Sequence, residues 1–257
     1  MKIMILGAGK MGLFFADLLS FRHEVAVKDQ DAHKMRFSYN VFRFTTDEEV
    51  VKFEPEILIN CVTLNNTFKA FDSVLPLIPK DCIIADIASV KTGLKDYYQN
   101  SGRRFVSIHP MFGPTFANMT NLQKENAIII KESDYIGKIF FKDVFSSLRL
   151  NIFEYTFEEH DQVAAYSLSI PFASSLVFAS IMKHQDAPGT TFKKHLDVAK
   201  GLLSEDDYLL SEILFNPNTQ KQLSKIITEL NKLSEIITHR NSEQMKEFLE
   251  NVRRNIQ

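Results

Sequence analysis

The chain has 257 residues, of which 45% are hydrophobic and 24% are charged, and its formal net charge is −2. This length predicts one large domain or two smaller ones, and the near-neutral charge gives no reason to expect a nucleic acid or an anionic membrane as partner. No apolar run reaches the ~20 residues of a membrane-spanning helix, and glycine interrupts residues 1–7 too soon for a signal peptide. We therefore expect a soluble, cytoplasmic protein.

The two cysteines, Cys61 and Cys82, lie in apolar runs that predict strands. Buried thiols acting as small hydrophobic groups fit that setting. The chain shows no metal-ligand spacing and no disulfide framework, so we expect no metal cofactor.

The first half of the chain alternates short apolar runs with helical patterns. The runs are apolar throughout, as strands covered on both faces are, and strands alternating with helices predict a doubly wound parallel sheet of the Rossmann type. Strands are expected at residues 2–6, 24–27, 57–62, 82–87, 105–108 and 127–130, and helices at 11–20, 68–75 and 92–100.

The second half of the chain is predicted to be entirely helical. A boundary near residues 150–157 separates the two patterns, so we expect an α/β nucleotide-binding domain over residues 1–153 and an all-α domain over residues 154–257. Helices are expected at residues 161–184 with an interruption at Pro171, and at 192–203, 206–215 and 219–254.

A glycine motif, G-x-G-x-x-G, occupies residues 7–12 between the first strand and the first helix. Gly7 permits the tight turn, the bare Gly9 admits a pyrophosphate, and Gly12 lets helix and strand pack closely. The free N–H groups of the helix N-terminus favour phosphate. The motif predicts a dinucleotide site formed by Gly7, Gly9, Lys10, Met11 and Gly12.

Asp29 follows the second strand, 20 residues beyond Gly9. A carboxylate at this place accepts hydrogen bonds from ribose hydroxyls and repels a 2′-phosphate, which favours NAD over NADP. An exposed turn residue is the alternative interpretation. Thr63 follows the strand at 57–62 and is expected at the same edge, because ligands bind at the carboxyl ends of parallel strands.

The same rule selects catalytic candidates after two further strands. His109 can accept a proton near neutral pH, although a structural histidine bonded to backbone is the alternative. Ser89 can orient a substrate hydroxyl or the imidazole of His109, or cap the next helix. Lys91 can pair with a substrate carboxylate or lie in solvent. The six other histidines, including His160, lack this context.

Residues 7–12, the segment 86–93 (DIASVKTG) and the segment 109–114 (HPMFGP) together resemble the prephenate dehydrogenase family. The helical half fits as well, over residues 161–173 and 189–201. The resemblance covers nearly the whole chain and looks closest to the short, single-function members of Bacteroides-type bacteria. The serine-lysine and histidine-proline motifs are fairly specific to the family, whereas the glycine motif is not.

The resemblance implies NAD-dependent oxidative decarboxylation of prephenate to 4-hydroxyphenylpyruvate, on the route to tyrosine and without a metal. It implies that His109 accepts the proton of the substrate's C4 hydroxyl and that Ser89 helps to orient both groups. It also implies a homodimer built through the C-terminal helices. Because the helical pattern runs to the last residue, we expect no fused mutase domain and no regulatory ACT domain.

The carboxylates of prephenate need cationic or hydrogen-bonding partners once desolvated. Two positions depart from the family pattern, since Phe172 stands where some members have histidine and Asp197 where some have arginine. The nearest replacements lie on the predicted helix at 192–203, which also carries His195. The expected substrate contacts are Ser89, Lys91, His109, Gly113, Lys193, Lys194 and Lys200.

Three other functions remain open. Arogenate dehydrogenase performs the same chemistry on the transaminated substrate, and the sequence does not separate the two. Other enzymes of this architecture, such as 3-hydroxyacid dehydrogenases and pyrroline-5-carboxylate reductases, lack the serine-lysine and histidine-proline pairing. A non-catalytic NAD-binding protein that engages a partner through its helices is the third alternative, against which Ser89 and His109 argue.

Overall fold

A single eight-stranded sheet organises the N-terminal part of the molecule in the computed structural model, which describes residues 1–113, 115 and 117–256. The strands are β1 Lys2–Leu6, β2 Glu24–Lys28, β3 Phe42–Phe44, β4 Ile57–Asn60, β5 Ile83–Asp86, β6 Phe105–Pro110, β7 Asn126–Ile130 and β8 Asn151–Tyr155. The helices are α1 Lys10–Ser20, α2 Asp47–Phe53, α3 Thr67–Val74, α4 Leu94–Ser101, α5 Tyr135–Ser147, α6 Phe157–Ala164, α7 Ile170–Ile181, α8 Thr190–Leu202, α9 Asp207–Leu214, α10 Thr219–Thr238 and α11 Ser242–Asn255.

The strand order is β3-β2-β1-β4-β5-β6-β7-β8. The first six strands of this order are parallel, so the expected doubly wound Rossmann sheet is confirmed. β7 pairs antiparallel with β6, and β8 follows the direction of β7. The order reverses between β1 and β4, and a sheet of this kind opens a ligand crevice at that reversal.

Helices cover both faces of the sheet. On one face, α1 and α5 bury Phe15, Leu19 and Phe141 against the strands. On the other face, α3 and α4 bury Phe71 and Tyr98. The inner strands are therefore apolar on both sides, which explains the unbroken hydrophobic runs in the sequence.

Several elements differ from the expectation. β3, α2, α5 and β8 were not predicted, and the single helix expected over residues 219–254 is wrong. That stretch is divided because Arg240 has a left-handed φ of 48°, and the side chain of Asn241 accepts a hydrogen bond from the Gln244 N–H and starts α11. The chain thus has two C-terminal helices.

The stretch Phe157–Ile181 forms one continuous 25-residue helix made of α6, a π-helical turn at Ala165–Ser169, and α7. Pro171 does not interrupt it, because the wider π turn accommodates the missing N–H. With a mean hydropathy of 1.5 in its most apolar window, this helix is long and apolar enough to cross a membrane by length and composition alone. The expectation that no stretch reaches that length is therefore wrong, although the first turns of the helix pack into the sheet domain through Phe157 and His160.

Candidate functional site

The glycine motif forms the tight turn between β1 and α1. Gly7 has a φ of 93°, and its N–H donates to the carbonyl of Lys28 over 2.8 Å. A Cβ atom on Gly12 would lie 1.9 Å from the carbonyl oxygen of Gly7, so only glycine fits there without a backbone shift. A Cβ atom on Gly9 would meet nothing within 4 Å. The bare face at Gly9 is thus open space beside a helix N-terminus, as a pyrophosphate requires.

Asp29 lies at the end of β2, directly beside the glycine turn. Its Oδ2 accepts the N–H of Ala8 over 2.7 Å, and its Oδ1 accepts the N–H of Asp31 over 2.8 Å. Hydrogen bonds to an ionised group contribute about 1.5–3 kcal/mol each. Asp29 therefore links the turn to β2 and still borders the crevice at the carboxyl ends of β1, β2 and β4.

A cavity of about 520 Å³ fills that crevice. Its size suits one half of a dinucleotide, because ligand pockets commonly measure ~300–1,000 Å³. The residues present therefore fit a bound dinucleotide. Lining residues include Gly7, Gly9, Asp29, Thr63, Asn66 and Lys69.

The structure places the other residues of the motif away from this cavity. Lys10 is the first residue of α1 and is exposed, whereas Met11 packs partly buried against the core. Neither is among the described residues that line the cavity. Their expected contacts with a cofactor stay predictions.

A buried ion pair lies under the ends of β5 and β6. The Nζ of Lys91 is 2.5 Å from Oδ2 of Asp86 and donates to the carbonyl of Ile108 over 2.7 Å. The hydroxyl of Tyr98 donates to the other oxygen of Asp86 over 2.6 Å. The Lys91 side chain is 0% exposed. The interpretation of Lys91 as a partner for a substrate carboxylate does not fit this placement, because its ammonium faces the protein interior.

His109 lies in β6, opposite Ile128 of β7, and is 4% exposed. Its Nδ1 is 3.0 Å from the Nε2 of His160, which is 0% exposed. On the far side of the second ring, the His160 Nδ1 is 3.3 Å from Oδ1 of Asp161. The alternative of a histidine bonded to backbone does not describe His109, because its Nδ1 partner is a side chain.

The two imidazoles are set up to be neutral near pH 7. Burial lowers the pKa of His109 well below 6.5, and a positive charge on His160 or on Lys91 lowers it further. Burial also lowers the pKa of His160, while its hydrogen bond with Asp161 opposes that shift. A neutral buried imidazole can accept a proton, which is what a general base requires.

Ser89 and the histidine-proline segment lie at the same end of the sheet. α4 begins at Leu94 with Gly93 at its N-cap, so Ser89 is not the cap of that helix. A Cβ atom on Gly113 would meet nothing within 4 Å. Pro114, the last residue of the segment, lies outside the described residues.

The three lysines expected to contact substrate, Lys193, Lys194 and Lys200, are exposed on α8. Their ammonium groups take part in none of the ion pairs between described residues. Residues 1–113, 115 and 117–256 contain no group of three or more histidine, cysteine or acidic side chains placed to hold a metal ion.

Sequence reasoning missed His160 and Asp161. They lie 51 and 52 positions beyond His109 in the chain, and only the fold brings the rings together. The start of their helix has a sequence signal, because Thr156 and Glu159 have the spacing of a capping box and form one in the structure. No local signal shows that the helix turns His160 toward β6.

Comparison with known proteins gives a family match over half the chain. The model of the family described as prephenate dehydrogenase, nucleotide-binding domain, matches residues 20–149. A curated relative from Methanocaldococcus jannaschii, described as a probable arogenate/prephenate dehydrogenase, is 20% identical over 92% of this chain. The alignment covers 56% of that relative, so the chain spans about half its length.

Solved structures share the fold. The A. aeolicus prephenate dehydrogenase, in complex with hydroxyphenyl propionate and NAD+, superposes with a TM-score of 0.83 at 21% identity, covering 99% of this chain and 96% of that one. The Synechocystis arogenate dehydrogenase superposes with a TM-score of 0.76 at 17% identity, covering 99% and 98%. At these identities the superpositions establish the fold.

Proposed function

The chain belongs to the prephenate dehydrogenase family, and from that premise we propose that it catalyses the NAD-dependent oxidative decarboxylation of prephenate to 4-hydroxyphenylpyruvate. The observation that carries the proposal is His109, a buried imidazole of lowered pKa on the sheet whose glycine turn fits a dinucleotide. The A. aeolicus structure of the same fold holds NAD+ and a hydroxyphenyl ligand.

Gly7, Gly9 and Asp29 would hold the cofactor in this proposal, and Gly12 allows α1 to pack closely against the glycine turn. The bare Gly9 admits the pyrophosphate, and the Asp29 carboxylate accepts the ribose hydroxyls and repels a 2′-phosphate. Thr63 borders the same cavity. Bound NAD would supply the acceptor for the hydride that leaves C4 of the substrate.

His109 acts as the general base. Its imidazole accepts the proton of the C4 hydroxyl as that carbon is oxidised, and the ring carboxylate then leaves as CO2. The electron pair of the broken C–C bond makes the ring aromatic, and the new phenolate recovers a proton from the imidazolium. Ser89 orients the C4 hydroxyl, in agreement with its place after β5 and its freedom from helix capping.

The substrate carboxylates need cations from elsewhere than Lys91. Lys193, Lys194 and Lys200 are our candidates, because α8 presents them exposed and outside the ion pairs between described residues. A desolvated carboxylate gains most from such charge-assisted hydrogen bonds. Gly113 follows β6 and leaves room for substrate beside His109.

We also propose a homodimer formed through the C-terminal helices. α7 contains no buried residue, and Val177 and Ile181 on one of its faces are 57% and 74% exposed. α10 carries a second exposed stripe, with Ile227, Leu230 and Ile237. Apolar surface of this extent is typical of a protein interface, and a second copy would cover it by two-fold symmetry.

We propose a cytoplasmic location, because the two cysteines are free thiols and the reducing cytoplasm keeps thiols in that state.

NADH formation with each candidate substrate tests the function. The purified chain should turn over prephenate with NAD, release 4-hydroxyphenylpyruvate in equal amount, and show a higher kcat/KM with NAD than with NADP. A higher kcat/KM for arogenate would make the chain an arogenate dehydrogenase. A folded protein that binds NAD and turns over neither substrate would contradict both assignments and favour a non-catalytic NAD-binding protein.

A further inference from the structure

Three polar side chains, His109, His160 and Asp161, contact one another in a row, and the proposed reaction assigns no role to the last two. His109 Nδ1, both nitrogens of His160, and Oδ1 of Asp161 follow one another at 3.0 Å and 3.3 Å. The side chain of His160 is 0% exposed, whereas that of Asp161 is 33% exposed. Two buried imidazoles in contact must divide their donors and acceptors between them, so this row of side chains constrains where each proton sits.

The hydrogen-bond roles follow from the carboxylate end. An ionised Asp161 only accepts, so the His160 Nδ1 carries the hydrogen that it donates. A neutral His160 with its hydrogen on Nδ1 has a bare Nε2, which accepts. His109 must then donate from Nδ1, and a neutral His109 with its hydrogen there has a lone pair on Nε2.

We propose that His160 is a positioning residue that, together with Asp161, holds the hydrogen of His109 on Nδ1 and thereby presents Nε2 as the base. This inference rests on the proposed function for the identity of the reaction. It assigns the tautomer of His109 from the two contacts behind it. When Nε2 takes up the hydroxyl proton, the Nδ1–H keeps its acceptor on His160, and the new positive charge faces the row of side chains that ends at Asp161.

The charged groups packed around the pair are consistent with these roles. Lys91, after β5, lies near both rings, but its ammonium is bound to Asp86 and to the carbonyl of Ile108. Asp86 in turn accepts from Lys91 and from the Tyr98 hydroxyl. Among the described hydrogen bonds, none joins Lys91, Asp86 or Tyr98 to either imidazole. Asp161 is therefore the acidic side chain that contacts the histidine pair.

Two substitutions at His160 separate positioning from packing. His160→Gln can keep an acceptor near the Nε2 position, whereas His160→Leu fills the space without one. Nitrogen-15 NMR of histidine-labelled protein distinguishes a ring nitrogen that carries hydrogen from one that does not. The wild type should show hydrogen on Nδ1 and none on Nε2 of His109. His160→Gln should keep that pattern, and His160→Leu should move hydrogen to Nε2.

Turnover should follow the tautomer. We expect kcat to fall ~10–10²-fold in His160→Leu, which is less than the ~10²–10⁴-fold contribution of a general base. In His160→Gln, kcat should stay within ~5-fold of the wild type. NAD affinity should be unchanged in both variants. Hydrogen on Nε2 of His109 in the wild type would overturn the inference even if His160→Leu fails to fold. An unchanged tautomer and kcat in a folded His160→Leu would also overturn it. The NMR result does not depend on turnover. A wild type that shows the expected tautomer but no activity would support the positioning role of His160 and contradict the proposed function.

Discussion

His109 combines two properties that oppose each other in water. Its ring is buried, and burial keeps it neutral, yet the proposed reaction requires it to accept a proton. A base is most effective when it is unprotonated at the working pH and still close to the proton that it takes. The lowered pKa supplies the first condition, and the place of His109 near the end of β6 supplies the second.

The pH dependence of kcat/KM follows from that shift. In the proposed mechanism the neutral imidazole is the active form, and burial lowers its pKa well below 6.5. Lowering the pH from 7 to 6.5 should therefore leave kcat/KM nearly constant. Activity should fall only as the pH passes through the lowered pKa. A profile of kcat/KM between pH 4.5 and 8, with stability monitored in parallel, checks this. An inflection above pH 6.5 would contradict the buried, neutral base.

Lys91 and Lys95 form a matched pair for separating structural from substrate-binding roles. Lys91→Met should cost about 3–5 kcal/mol of unfolding free energy, since it leaves the carboxylate of Asp86 buried without its cation. Lys95→Met breaks an exposed pair with Glu158 and should change stability little. Urea unfolding of both variants measures the difference. A stable Lys91→Met protein with a raised KM would instead restore Lys91 as a substrate contact.

Side chains differ in how far the sequence determines their role. Candidate residues after predicted strands could be selected from the sequence because position at a strand end is a local property, and His109 is the example. The burial of Lys91 was not predicted, because its ammonium turns back toward Asp86, a contact that depends on tertiary packing. His160 was set aside because its partner lies 51 positions away. Pairings between distant elements depend on the tertiary fold.

At the scale of elements, the glycine turn shows how two glycines in one motif serve different needs. Gly12 is required by the protein itself, because a Cβ atom there would meet the carbonyl oxygen of Gly7. Packing within the protein does not require Gly9, because a Cβ atom there would meet nothing within 4 Å, and we propose that the cofactor's pyrophosphate does require it. Both conclusions about packing come from the geometry of β1 and α1 alone.

Alanine substitutions at these two positions should therefore affect different properties, stability at Gly12 and NAD affinity at Gly9. Gly12→Ala should lower stability by ~1–3 kcal/mol or more, the usual cost of overpacking. Gly9→Ala, whose backbone φ of −73° suits alanine, should melt like the wild type and yet bind NAD at least ~10-fold more weakly. Thermal unfolding and NAD titration measure both. Normal NAD affinity in Gly9→Ala would remove the pyrophosphate from this turn.

Elements with strong local patterns were predictable, and elements defined by their neighbours were not. The buried parallel strands were found from unbroken apolar runs. β3 has three residues at the sheet edge, too few to show a period. The antiparallel direction of β7 could not be predicted, because the sequence of residues 111–125 has no periodic pattern. The break after α10 depends on the left-handed Arg240, a conformation for which arginine carries no sequence signal.

The molecule as a whole combines a covered sheet with helices that leave apolar surface open. The sheet buries its inner strands on both faces, whereas α7 has no buried residue. The helix Phe157–Ile181 has the length and composition of a membrane-spanning helix, but its N-terminal turns pack against the sheet. A second copy of the chain is the occupant that we propose for the exposed face.

Charge on α7 should separate the protomers. Val177 and Ile181 are four positions apart and share one helix face, so Val177→Lys with Ile181→Lys should turn the proposed dimer into a monomer. Phe21→Lys, at an 81% exposed site after α1, is the matched control and should leave the dimer intact. Sedimentation equilibrium gives the masses. A monomeric wild type, or a dimeric double variant, would contradict this interface.

The most direct test of the central claim compares the wild type with His109→Asn in NADH formation from prephenate and NAD. The account predicts rapid NADH from the wild type, and a kcat lower by ~10²–10⁴-fold in the variant, with NAD affinity unchanged. Near-normal turnover by a folded His109→Asn protein, or no NADH from a wild type that binds NAD, would contradict it.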